Sequence, residues 1–345
     1  MRKKLISILL LFCLSVGLVS CGSKGEENSS LPTEESSQPI VEAEVIINPY
    51  TGEAGYSKDR VGKRPLAVTI NNLYQAQAVQ SAIDRADIVF ETEVEGGITR
   101  LLAIFSNPSA IEGKIGTLRS ARVAFAAISK GMNAYYVHHG YDPTYCMPYM
   151  NQIGIERINI GAPYTFREPN GLAWEHTLYT TGENLGKLIE DKNWDEDFEI
   201  TPFADFTAPG EANTLTGGAA TFVRVPFSSS YITDFMYDAE TSKYFRARNK
   251  TPFTDLVTGN KEAFKNVLIL KTNITFYENG YRKNIELNSG SGYYMSGGNY
   301  MEIKWTKGAA DNNFKFTDSS GNPLTLNSGN SYICIVNKNA GITIE

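Results

Sequence analysis

The sequence predicts a two-domain chain of mixed α/β (α+β or α/β) class. A strand-and-helix domain covers 46–206, a linker covers 207–219, and a smaller all-β domain of sandwich or barrel type covers 220–345. Three observations carry this. Strand-like and helix-like runs alternate through the first half, short alternating strands broken by Gly, Asn and Ser fill the second, and "TAPGEANTLTGGA" lies between them. The roughly 300 residues that follow the N-terminal segments are enough for two cores of ordinary size.

The first element is an address. Arg2, Lys3 and Lys4 precede an apolar run from Leu5 to Val19, shaped as a signal peptide over 1–20 and short for a membrane span. It ends Leu18-Val19-Ser20-Cys21, a lipobox pattern, so Cys21 is the expected lipidated N-terminus; the alternative is an uncleaved anchor helix. Residues 21–45, rich in Glu, Ser and Pro, are too polar to bury a core and read as a disordered tether. About 25 such residues span roughly 28 Å on average. The expected location is extracytoplasmic, with the lipid on Cys21 anchoring the chain to the outer face of the cytoplasmic membrane. Losing the three basic residues of the leader leaves 29 basic against 38 acidic residues, a net charge of −9. That excludes nucleic acid as a bulk partner. Cys146 and Cys334 alone are no disulfide framework, and no CxxC zinc motif occurs.

In the α/β half, "PLAVTINN" (65–72) reads as a strand and "ADIVFETEVEGGITRLLAIFS" as a hairpin turning at Gly96-Gly97. A two-residue turn there pairs Glu95 with Ile98, Glu93 with Arg100 and Glu91 with Leu102, placing Glu91, Glu93, Glu95 and Arg100 on one face. A helix over 120–131, the strand "AYYVHHG", a helix near 143–153 and the strand "ERINIG" follow. In the second half "NVLILKTNITFY", "RKNIELN", "NYMEIKW", "NFKFTD", "PLTLN" and "SYICIV" are the strands. Tyr293, Tyr294, Tyr300 and Trp305 are read as core, with sugar stacking the alternative.

Common catalytic and cofactor motifs are absent: no GxSxG, SxxK, HExxH or Walker-type loop, so no cofactor and no metal site is expected. The three histidines are His138, His139 and His176. "WEHTLYT" sets His176 and Tyr179 three apart, on one helix face or on a turn.

"KIGTLRSARVAF" (114–125) poses the main question, because Arg119 and Arg122 fall where a helix begins, at the positive end of its dipole. Three readings are open. Glutamates of the hairpin (Glu91, Glu93, Glu95) neutralise them internally; an anionic ligand such as phosphate or carboxylate does so; or they are surface charge.

"NPYTGEAGYSKDRVGKRPLAVTINN", "ADIVFETEVEGGITRLLAIF", "KIGTLRSAR", "YVHHG" and "EHTLYT", in that order, resemble the YerB-like lipoproteins, the family of a domain of unknown function (DUF3048). "FKFTDSSGNPLTLNSGNSYICIV" resembles that family's C-terminal domain. The resemblance implies a Gram-positive surface lipoprotein with an α/β domain, a β domain and no settled activity. It maps the family's motif onto Arg64, Asn71, Asn72, Glu91, Glu95, Arg100, Arg119, Ser120, Arg122, His138, Arg167, His176 and Tyr179. The sequence departs from the pattern at Glu93, at His139 and near Phe253.

Two functions follow as expectations. The first is a binding or regulatory module for an anionic envelope component, such as a peptidoglycan peptide carboxylate or a phosphate-bearing wall polymer, or for a protein of cell-wall synthesis. Arg119 and Arg122 hold the anion, Asn72 and Tyr179 orient it, and Glu95–Arg100 supports them; Asn71, His138, Arg167 and His176 complete the site. The second is an envelope hydrolase with His138 or His176 as base, Glu91 or Glu95 as acid, and arginines stabilising charge. A scaffold held by an internal salt-bridge network is the third reading.

Overall fold

The computed structural model describes residues 45–345, so the expected leader, Cys21 and the tether up to residue 44 lie outside the described residues. The fold is mixed, with few helices and many strands. An eleven-stranded sheet is its spine. In chain order its strands are β1 (Leu66–Asn71), β2 (Ile88–Glu93), β3 (Thr99–Phe105), β4 (Tyr135–His138), β5 (Arg157–Asn159), β6 (Gly218–Ala219), β7 (Asn266–Thr272), β8 (Ser289–Ser296), β9 (Asn299–Thr306), β10 (Lys315–Asp318) and β11 (Ser331–Asn337). Across the sheet they run β6-β9-β8-β7-β11-β2-β3-β1-β4-β5, and β10 also pairs with β9.

Strands β1, β2, β3 and β11 are buried along nearly their whole length. Each carries a continuous apolar run, Leu66–Val68, Ile88–Phe90, Leu101–Phe105 and Tyr332–Val336, which suits a strand covered on both faces. One face, with Val68, Val89, Leu101, Ile269 and Tyr332, packs on Val223, Phe235, Tyr244 and Phe264 of a second, six-stranded sheet. The other, with Phe90, Leu102, Tyr136, Leu268 and Ile333, takes helices α1 (Val123–Gly131) and α2 (Cys146–Gln152) through Phe125, Ile128 and Met150. Tyr294 and Trp305 are core residues.

Helix α1 leads from β3 to β4 and α2 leads from β4 to β5, with β1, β4 and β5 mutually parallel. β11 inserts between β7 and β2, parallel to both, so strands from either side of 207–219 share one hydrogen-bonded sheet. The end of that segment is itself β6.

The hairpin β2–β3 forms, with a different turn. Its loop is three residues, Glu95–Gly97, closed by the Val94 N–H on the Ile98 carbonyl at 2.8 Å. Gly96 and Gly97 both adopt left-handed φ, 72° and 70°, which costs glycine nothing. The extra loop residue moves the register by one: Glu91 faces Leu101, Thr92 faces Arg100 and Glu93 faces Thr99. Arg100 therefore lies on the face opposite to Glu91, and the expected Glu93–Arg100 and Glu91–Leu102 pairs do not form.

Helix α1 starts at Val123, later than expected, with Arg122 extended at the N-cap position. It ends at Gly131, where a Cβ would lie 2.1 Å from the Asn312 carbonyl oxygen; only glycine permits that approach. Among the described residues no helix is long and apolar enough to cross a membrane.

Candidate functional site

The segment Leu118–Arg122 is laid along the ends of β1 and β4. The Arg119 N–H bonds the Thr69 carbonyl, the His139 N–H bonds the Arg119 carbonyl, and the Ala121 N–H bonds the Gly140 carbonyl, each at 3.0 Å. This gathers Asn71, Arg119, Ser120 and His138 at the carboxyl ends of two parallel strands, where open sheets hold ligands in their crevice.

The two arginines part here. Arg122 is clasped internally: its Nε donates to Glu95 Oε2 at 2.8 Å, its Nη2 closes on Oε1, and its Nη1 donates to the Ala121 carbonyl at 2.7 Å. Glu95 also receives Arg282 at 2.6 Å, which bridges to Asp142 at 2.8 Å. Arg100 Nη2 stands 3.6 Å from Glu95. For Arg122 the internal ion-pair reading therefore holds, with Glu95 rather than Glu91 or Glu93 as partner. The adjoining cleft, between Glu95, Arg122, Asp142, Cys146 and Arg282, has a volume of about 20 Å³, room for about one water. Burial pushes the Cys146 thiol up to about 12, so it supplies no thiolate.

Arg119 is satisfied far less well. Its Nη1 donates to the Glu175 carbonyl at 3.2 Å, and its Nη2 stands 3.5 Å from the Glu175 carboxylate, whose side chain is 58% exposed. Its Nε is buried with no hydrogen-bond partner among the described residues. Burial lowers its pKa, with Glu175 opposing. Arg100 is buried, donates to the Ser120 carbonyl at 3.1 Å, and feels burial first and the Arg119 charge next, both lowering its pKa. A guanidinium keeps its proton regardless, so this pair of cations demands an anion. Around it, Arg100, Arg119, Arg122 and Arg282 face Glu95, Asp142 and Glu175. Four cations against three carboxylates leave the site locally positive in an acidic chain.

The histidines separate as well. His138 is buried, its Nδ1 is 2.8 Å from the Gly140 carbonyl, and its Nε2 has no partner among the described residues. Burial takes its pKa down to about 4, far from the range of a general base at neutral pH. His139 turns instead to the Ile160 carbonyl. The Asn71 amide donates to His176 Nδ1 at 2.7 Å, and its oxygen is held by the Leu73 N–H. The network thus fixes the tautomer with hydrogen on His176 Nε2, which points toward Glu175 at 3.9 Å. Burial, then Arg119, lowers the pKa of His176, keeping it neutral.

Several expected site residues lie elsewhere. Asn72 is fully buried among Glu91, Thr99, Gln80 and Arg246. Glu91 is fully enclosed, accepting from Asn72, Thr99, Thr233 and Tyr332, and reaches no open surface. Tyr179 is buried in the strand Leu178–Thr181 and donates to the Val79 carbonyl, while His176 sits on the preceding turn Trp174–His176. Arg167 bonds the Trp174 carbonyl at 2.6 Å and lies over the Trp174 ring, bracing that turn. Arg282 and Asp142 carry the local charge balance with no motif to announce them, and Glu175 does so from within "EHTLYT", where the sequence assigns it no role. Among the described residues no three His, Cys, Asp or Glu side chains gather as a metal site.

The fold and this site define a strand-rich, mixed-sheet protein with a polar cluster at the carboxyl ends of two parallel strands. The chain belongs to the DUF3048 family: residues 50–195 match the "Protein of unknown function (DUF3048) N-terminal domain" and residues 223–333 match its C-terminal domain. It is 30% identical over 254 residues to the protein "Putative lipoprotein YerB" of Bacillus subtilis (strain 168), covering 70% of this chain and 73% of that one. It superposes on the crystal structure of the YerB protein from Bacillus subtilis with a TM-score of 0.73 at 26% identity, covering 86% of this chain and 99% of that one.

Proposed function

We propose that the chain is a membrane-anchored, extracytoplasmic binding module that recognises an anionic component of the cell envelope through Arg119, with Arg100, His176 and Asn71 around it. The lipobox ending at Cys21 and the lipoprotein name of the Bacillus relative support the anchoring. One observation carries the binding reading. The Arg119 guanidinium stands at the strand ends with a buried Nε lacking any acceptor among the described residues, beside a second buried arginine with no carboxylate closer than 3.6 Å. Buried cations are retained where an anion completes them. Binding is favoured over hydrolysis because His138 is held near 4 and the Glu91 carboxylate is enclosed. The test is cosedimentation of the protein with isolated cell-wall polymers. Folded Arg119→Ala loses the association on this reading; retention at the wild-type level removes it.

A further inference from the structure

Resting on that reading of Arg119, we propose that Glu175 is a built-in competitor, occupying loosely the place at Arg119 and His176 that a ligand's carboxylate takes, and that the ligand class is a peptide with a free carboxylate.

Two donors meet at Glu175 Oε1, Arg119 Nη2 and His176 Nε2, and Arg119 Nε, on the same edge of the guanidinium as Nη2, is buried without a partner among the described residues. The Glu175 carboxylate serves them poorly. It lies 3.5 Å from the guanidinium and 3.9 Å from the imidazole, against about 2.7–2.9 Å for a formed charge-assisted hydrogen bond. The Nε–H receives nothing from it. A carboxylate arriving side-on spans the Nε and Nη2 edge of a guanidinium in two parallel bonds, the geometry Glu95 already shows on Arg122. Glu175 meets the guanidinium instead through its backbone carbonyl, which accepts from Arg119 Nη1 at 3.2 Å.

The competitor is built to leave. Glu175 lies mid-turn, its side chain is 58% exposed, and its neighbour Trp174 is 69% exposed. An ion pair of this length, with Glu175 more than half exposed, contributes little. When the Glu175 carboxylate swings out, a ligand carboxylate replaces its charge one for one beside Arg119. The acidic net charge, −6 over the full sequence and −9 without the expected leader, disfavours polyanions. Trp174, carried on the same turn, offers an apolar face for the residues that precede a peptide's terminal carboxylate.

Calorimetric titration with N-acetyl dipeptides of L- and D-alanine, their C-terminal amides and inorganic phosphate tests this on wild type, Glu175→Gln and Arg119→Ala. Glu175→Gln is expected to bind one of the acids roughly tenfold more tightly than wild type. The amides, and Arg119→Ala with any probe, are expected not to bind. If Glu175→Gln binds no more tightly while Arg119→Ala still loses binding, Glu175 is no competitor and the role of Arg119 stands. If Arg119→Ala binds like wild type, both ideas fall. Equal binding of acid and amide, preference for phosphate, or no binding by Glu175→Gln overturns the ligand class.

Discussion

Glu95 and Arg122, 27 residues apart, meet along one edge of the guanidinium, with Arg122 Nε 2.8 Å from Glu95 Oε2. The pair fastens the β2–β3 loop to the start of α1. Arg282, from the second half of the chain, joins the same carboxylate at 2.6 Å.

That arrangement is asymmetric, and so are the expected losses. Arg122→Ala leaves Glu95 with Arg282 and with Arg100 nearby, costing about 2 kcal/mol in urea unfolding. Glu95→Ala strands several guanidinium groups that are mostly buried, costing about 3–5 kcal/mol. Equal losses, or a larger one for Arg122→Ala, contradict the shared-carboxylate arrangement.

Arg119 is expected to behave in the opposite way. With one bond to a backbone carbonyl and a slack ion pair to an exposed glutamate, its truncation alters stability by less than about 1 kcal/mol. Chemical denaturation of Arg119→Ala beside Arg122→Ala checks this directly, and a loss of 3 kcal/mol or more would return Arg119 to fold maintenance.

His138 predicts a pH dependence. Its folded pKa of about 4 lies below the ordinary 6.5. Between those values the unfolded chain binds more protons, so stability falls as pH drops from 6.5 to 4 and levels off below. The gap is worth about 3 kcal/mol. His176 is shifted in the same direction. In His138→Gln the acid-side loss between pH 7 and pH 4 should shrink by about that amount; an unchanged profile shows that the buried imidazole is not what titrates.

Tyr332 reports on the shared core. Its hydroxyl donates 2.6 Å to the buried Glu91 carboxylate, and its strand β11 lies directly against β2. Tyr332→Phe is expected to cost about 1.5–3 kcal/mol and to lower one cooperative transition for residues on both sides of 207–219. A fragment of residues 46–206, with β2 stripped of β11, is expected not to fold. Two resolved transitions, or a folded fragment, contradict this.

Much of this was legible in the sequence, down to particular residues. The runs 65–72, 134–140 and 331–336 are strands because their apolar patterns leave little else, and the ion-pair reading of "LRSAR" named Glu95 among its partners. The register was not legible, since Gly96-Gly97 accommodates a two-residue or a three-residue turn equally and one residue decides which side Arg100 takes. Nor was β11 beside β2, a parallel pairing more than 240 residues apart in sequence with no local signal. Arg282, inside "ENGYRKN", and Glu175, inside "WEHTLYT", look like ordinary surface charges; only the folded chain brings them to Glu95 and Arg119.

The most direct measurement follows the Arg119 Nε–H by NMR while carboxylate-bearing cell-wall peptides are added. A saturable shift of that resonance, with the Arg122 Nε–H unmoved, is the predicted result. An Arg119 signal that stays fixed while the peptides bind, or moves only in step with Arg122, contradicts the claim that Arg119 alone of the two awaits an anion from outside the chain.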